Sequence, residues 1–573
     1  MIAEFAPSSE IVPAGLNAAS WPELEPLYAE LLARDLHCAN CLRRLILDRS
    51  ELDAAAGEAA TDLYINMTCH TDDAGAQQAY LRHVENVQPK LKQAAFDLDR
   101  RIVTSPFVEG LDQARFAVYL RDLRAAVELF RPENIALETQ LSKLDQQYSE
   151  TCGAMTVQFR GKERTLSQMA VFNEDPDRAT REEAWRLVAQ RRFADKDRID
   201  AIFEEMMQLR RKVAANAGLK DFRQYAFIAR RRFDYTPEDC HAYASGVEEH
   251  VVPLVLKVRA ARSRAMGITP LRPWDSQVDP KGRPALKPFE DSRQMVERTQ
   301  KLFEKMDPSL ASLFAHLSSP ANAKPCLDLE SRKGKAPGGY QASRERARVP
   351  FIFMNAVGVQ RDVETLVHEA GHAFHSLLCR ADPLLHYRNE LPLEFAEVAS
   401  MSMELLAHPF LGEYYSPADA ARARRVHVEQ LFFSLATVAL VDQFQHWMYT
   451  TEHTIADRHA KWAELHLRYA PGLDWTGFED VLGASWHRIL HLFGVPFYYI
   501  EYGIAQLGAI QVWMNYRDEP AAAIGAYKKA LSLGASKPLP ELFKAANLSL
   551  DFSPDNIGRL ANEVAAELDR LAV

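Results

Sequence analysis

The 573-residue sequence has no apolar run long enough to cross a bilayer. Its longest, Leu431 to Val441, is interrupted by Ser434 and falls short of the roughly 20 residues a spanning helix needs. The leading Met1-Ile-Ala-Glu-Phe-Ala-Pro7 lacks the basic start and apolar centre of a signal peptide. Basic blocks are missing too. The net charge of −10 is spread along the chain, which argues against a nucleic-acid partner. Glycine and proline are thinly scattered, so long disordered linkers are not expected. The seven cysteines, at 38, 41, 69, 152, 240, 326 and 379, suit free thiols in a reducing compartment better than a disulfide framework. Cys38 and Cys41 form a C-x-x-C with no second pair at zinc-ribbon spacing, and read as ordinary buried helix thiols. These absences leave a soluble, cytoplasmic globular protein with neither membrane nor nucleic acid as partner. Its length calls for two domains, or one with an appended lobe.

What is present is mostly helical patterning. From Pro22 to about Ala215 amphipathic segments follow one another, with Pro89 a kink or break and a cap expected near Gly218. Thr269 to Pro288, rich in proline, reads as a surface loop or the wall of a substrate channel. Strand signals lie between Cys326 and Ala356. Cys326-Leu-Asp-Leu-Glu-Ser331 alternates, and Val349-Pro-Phe-Ile-Phe-Met-Asn355 is β-branched and aromatic. A small antiparallel sheet is expected there, around the glycine-rich turn Lys333–Tyr340. Pro337-Gly-Gly-Tyr340 reads as a closing loop or a mobile turn. The basic residues Arg332, Lys333, Lys335, Arg344, Arg346 and Arg348 read as a solvated loop or an attractor of peptide carboxylates. Beyond Gln360 the pattern is helical again. The expected division is an N-terminal helical lobe, residues 1–190, and a catalytic domain, residues 191–573.

The chemistry lies in His368-Glu369-Ala-Gly-His372, an H-E-x-x-H motif. On a helix, residues i and i+4 stack, so both imidazoles can reach one ion while Glu369 stands beside a metal-held water. Val363, Leu366, Val367, Ala370, Phe374 and Leu377 recur at helical spacing, and Asp362 can serve the helix start. A catalytic zinc takes a third protein ligand and keeps one position open. Glu394, Glu397 and Glu404 lie on a second helix among small and apolar residues, where a buried carboxylate needs a counter-charge. His375 falls on the same face as the motif histidines and reads as a supporting or substrate-contacting group rather than a fourth ligand.

His368-Glu-Ala-Gly-His372-Ala-Phe-His375 with Glu397 twenty-five residues beyond His372 resembles the thimet oligopeptidase and oligoendopeptidase F family of zinc peptidases. Pro350-Phe-Ile-Phe-Met-Asn355 and Pro496-Phe-Tyr-Tyr-Ile-Glu-Tyr502 point to its oligoendopeptidase F and Pz-peptidase branch. The resemblance runs from about Arg181 to Phe552. It implies a mainly α fold of two helical lobes around a deep substrate channel, with a small antiparallel β-sheet beside the zinc-binding helix. It implies one Zn²⁺ per chain on His368, His372 and Glu397, Glu369 as base, and His491, Tyr498 and Tyr502 as groups at the oxyanion. The loop after His491 reads Gly494-Val-Pro-Phe497, without the tyrosine that the thimet branch carries.

The activity so implied is hydrolysis of internal bonds in short unstructured peptides, by Glu-assisted attack of a zinc-bound water. Donors at the oxyanion lower the barrier by roughly 3 kcal/mol each. An extended peptide could add to the edge of the strand Pro350–Asn355. A dipeptidyl carboxypeptidase with the same ligands, or an idle peptide-binding relative, are the alternatives. Oligomeric state is left open.

Overall fold

The computed structural model describes residues 11–332, 334–336 and 338–571. Lys333, Pro337 and the leading Met1–Pro7 lie outside them. No helix of the described residues is long and apolar enough to cross a membrane.

The chain forms two compact units, each discontinuous in sequence. The first comprises Met1–Glu128, Lys287–Ala423 and Ala505–Leu550; the second comprises Leu129–Leu286, Arg424–Ile504 and Asp551–Val573. A cut at 190 would fall inside the helix Arg178–Ala194. Sequence order and compactness therefore divide this chain differently.

Helices dominate both units, and local chemistry accounts for many of their ends. Asp73, Asp177, Asp221, Thr236, Asp291, Thr454 and Ser553 cap their helices by accepting backbone N–H groups. Pro89 marks a true break: Ala74–Asn86 ends and Gln88–Val103 restarts with that proline in its first turn. Gly218 takes a positive φ of 77° two residues after the helix Lys196–Asn216 ends, the conformation glycine adopts at least cost. A β-hairpin, Thr156–Phe159 with Lys162–Thr165, interrupts the helical run. Its turn at Arg160-Gly161 has both residues at positive φ, a tight hairpin connection that a helical reading passes over. The stretch around Leu271–Asp275 is an anchored loop. Asp275 is fully buried and accepts from Arg178 at 2.8 Å and Arg181 at 3.1 Å.

In the first unit a three-stranded sheet precedes the helix Gln360–Cys379. Val349–Ala356 is its central strand, pairing antiparallel with Tyr340–Arg344 as an antiparallel sheet requires. The other strand read from sequence, Leu327–Glu330, pairs with it in parallel. Both edges of Val349–Ala356 are therefore taken. No peptide can add to it; an outer edge exists instead at Tyr340–Arg344. The basic residues around this sheet are mostly paired within the unit: Arg332 at 2.6 Å and Lys335 at 2.8 Å with Asp328, Arg344 at 2.9 Å with Asp62, and Arg348 at 3.1 Å with Glu51. Charge already paired in this way is a weak attractor for a peptide terminus.

Candidate metal centre

The helix Gln360–Cys379 starts where Asp362 accepts the backbone N–H groups of Val357, Gly358 and Val359 at 2.8, 2.8 and 3.0 Å. One carboxylate thus satisfies three donors that the end of the strand would leave orphaned. The apolar stripe of Val363, Leu366, Val367, Ala370, Phe374 and Leu377 is buried. That sets the rotation of the helix and turns His368 and His372 to one side.

The helix Leu393–Leu406 packs on it closely. Gly371 allows this: a Cβ there would fall 2.6 Å from the Ala399 carbonyl oxygen and 2.6 Å from Ser400 Cα. The Ala399 carbonyl also accepts from buried Tyr527 at 2.8 Å. Close approach brings Glu397 to the histidines. His368 Nε2 lies 3.5 Å and His372 Nε2 3.7 Å from Glu397 Oε2.

Bond lengths of 2.0–2.1 Å to a tetrahedral ion put ligand atoms about 3.4 Å apart, so the three atoms fit one cation. Ser400 donates to Glu397 Oε2 at 3.0 Å and fixes that carboxylate. Glu404 Oε1 lies 2.6 Å from His368 Nδ1, which leaves Nε2 to face the site. Glu394 is buried on the same helix but stands outside the ligand set.

Charge tells the same story. Burial lowers the His368 pKa, but the Glu404 hydrogen bond and the charges of Glu404, Glu397 and Glu369 outweigh it and raise it to about 9. Burial takes His372 down to about 4. Glu369 is 6% exposed, its Oε2 has no hydrogen-bond partner, and burial pushes its carboxyl up to about 7. Three carboxylates and two imidazoles crowd one buried pocket, a donor set that a divalent cation would partner.

His375 stands outside the candidate ligand set. It is 1% exposed, both ring nitrogens lack partners, and it packs edge-on against Phe395. Desolvation brings it down to about 3, which marks a neutral core imidazole. Gly371 and Ser400 were not singled out from the sequence, and Glu404 was read only as one acid of a face. A glycine inside an otherwise good helix costs about 1 kcal/mol and was the one available signal of close packing.

His491, Tyr498 and Tyr502 belong to the second unit. They cluster there: His491 lies 5.5 Å from Tyr498 and 5.8 Å from Tyr502 between ring centres, and Tyr502 Oη is 3.5 Å from His491 Nε2. All three are partly exposed. The second unit also holds Asp200 between His459 and His487, each at 2.9 Å. Both carboxylate oxygens of Asp200 are taken by the two imidazoles, and Lys196 at 3.6 Å from Asp200 opposes a cation.

The model of Peptidase family M3 matches residues 171–555. The structure of Pz peptidase A with inhibitor 2 superposes with a TM-score of 0.90 at 27% identity, covering 98% of this chain and 99% of that one. An oligoendopeptidase F homolog of Borreliella burgdorferi is 26% identical over 38% of this chain and 37% of its own length. Oligopeptidase PepF of Bacillus subtilis is 24% identical over 43% of this chain and 37% of its own. The matched stretch thus spans little more than a third of either curated relative. The family match covers most of the chain and includes the H-E-x-x-H helix, and on that ground the protein belongs to peptidase family M3.

Proposed function

We propose that this protein is a zinc metallo-oligopeptidase that hydrolyses internal bonds of short, unstructured peptides. The observation that carries the reading is the convergence of His368, His372 and Glu397 at 3.5 and 3.7 Å, with the buried Glu369 Oε2, which has no hydrogen-bond partner, on the helix of the two histidines. Two imidazoles and a carboxylate suit Zn²⁺, one per chain. When bound, the ion supplies Lewis acidity to the scissile carbonyl and to water. Glu369 accepts a proton from the attacking water and delivers it to the leaving amine. Glu404 holds the His368 ring in orientation, and Ser400 holds Glu397. The family resemblance gives His491, Tyr498 and Tyr502 the role of donors to the oxyanion, each worth roughly 3 kcal/mol where water is excluded. The outer edge of Tyr340–Arg344 offers main-chain groups to an extended substrate. The names of the relatives support oligopeptides as the substrate class. A cytoplasmic location belongs to the same proposal.

The test uses an internally quenched peptide of about ten residues, with and without a chelator, beside Glu369→Gln. Expected is chelator-sensitive internal cleavage, lost by about 10²–10⁴-fold in a variant that still binds one metal. Product masses separate internal cleavage from release of C-terminal dipeptides. A wild type that binds metal but cuts nothing in a broad peptide library would overturn the peptidase reading in favour of a binding protein.

A further inference from the structure

Cys38 and Cys41 are not the buried thiols that the sequence suggested: Cys38 is exposed and Cys41 half-buried. Cys38 is the N-cap of the 31-residue helix Ala39–Cys69, with extended backbone (φ −163°, ψ 167°). Its Sγ accepts the Cys41 backbone N–H at 3.3 Å. N-cap and N3 are the positions that a capping interaction brings together, and here sulfur takes the place of the usual oxygen. The two Sγ atoms consequently lie 3.0 Å apart. This exceeds a disulfide bond by about 1 Å, a gap that side-chain rotation can close.

The surroundings favour a thiolate. The first turn of this helix carries no acidic residue to neutralise its positive end. The Cys41 thiol is drawn down, first by its hydrogen bond to Cys38, then by the His37 backbone, with Arg44 adding its charge. Elsewhere burial has the opposite effect: Cys69 is pushed up to about 11 and Cys379 to about 12, and Cys152 and Cys326 also rise. Cys240 is fully buried, which leaves Cys38 and Cys41 as the one accessible pair of neighbouring thiols among the described residues. Among the described residues no third ligand completes a metal site with it.

We infer that Cys38 and Cys41 form a thiol–disulfide exchange site for small-molecule disulfides, cycling between a dithiol and an intramolecular Cys38–Cys41 bond. One protein thiolate attacks a sulfur of the small disulfide, whose S–S bond breaks and releases one thiolate. The second protein sulfur, its proton lost to water, displaces the other half from the mixed disulfide. Two protein thiols are oxidised by two electrons, and the small disulfide is reduced to two thiols as each released sulfur takes up a proton. No other oxidant is needed.

The probe is oxidised glutathione near pH 7, applied to the full chain, with thiols counted and peptides mapped by mass. The wild type is expected to lose two of its seven thiols and two hydrogens of mass, with no adduct and with Cys38 linked to Cys41. Cys38→Ser and Cys41→Ser are each expected to keep one glutathione on the remaining sulfur; serine at 38 preserves the helix cap. The wild-type reaction is expected to slow in urea, where the helix start is lost. The inference is overturned if all seven thiols survive, if the wild type keeps an adduct, or if other cysteines are linked. Peptidase activity is not read, so the result stands apart from the proposed hydrolysis.

Discussion

Gly371 sits directly against the Ala399 carbonyl: the Cβ it lacks would fall 2.6 Å from that oxygen. Neither neighbour can yield cheaply, because the carbonyl is also held by Tyr527 at 2.8 Å and Ser400 is fully buried. Gly371→Ala must push the two helices apart. We expect a loss of about 1–3 kcal/mol of stability, together with weaker metal binding, since Glu397 moves with its helix. Thermal melts and metal titration of the variant check both. A variant that melts lower yet binds metal as the wild type does would uncouple helix spacing from the site.

Glu404 meets the centre at His368 Nδ1, 2.6 Å away. Glu404→Ala leaves all three ligand atoms in place but frees the ring to rotate and change tautomer. Metal affinity is expected to fall by about 10–100-fold, measured by competition against a chromogenic chelator.

Tyr498→Phe and Tyr502→Phe each remove a hydroxyl from the cluster around His491. For a donor to the oxyanion, kcat falls by about 10²–10³-fold with KM nearly unchanged. A hydroxyl that only packs would leave kcat alone and lower the melting temperature instead. Steady-state kinetics on one quenched peptide separates the two for each tyrosine.

Glu345 provides a pH signature of stability outside the candidate metal centre. It is 7% exposed, and burial pushes its carboxyl up to about 7. The unfolded chain releases that proton near pH 4.3, so the folded state binds more protons between those values. Stability therefore falls as pH rises through this window and levels off above about 7. The cost there is at most about 4 kcal/mol. Glu345→Gln is expected to be more stable than wild type at pH 8 and no more stable near pH 4. Urea unfolding at the two pH values gives the difference, and an equal gain at both would show that this carboxyl does not titrate as described.

Much of the candidate metal centre was legible because it is local. Helical periodicity places His368, Glu369 and His372 relative to one another without reference to the rest of the chain, and Asp362 caps residues three to five positions before it. The strand Val349–Ala356 was legible from its β-branched and aromatic residues, and the break at Pro89 from a missing N–H. These follow from dihedral preferences and side-chain spacing along a few residues.

Which groups meet across the fold was decided by packing between segments far apart in sequence. Three acids stand on the helix Leu393–Leu406, and the contact of Gly371 with Ala399 and Ser400 determines that Glu397 faces the histidines while Glu404 backs His368. The same long-range packing buried His375, paired both edges of Val349–Ala356, and gathered residues 1–128 and 505–550 into one unit with the H-E-x-x-H helix. It also left Cys38 and Cys41 accessible at a helix start. A sequence states what each residue can do locally; the cost of burying it, and against which partner, exists only once distant surfaces have met.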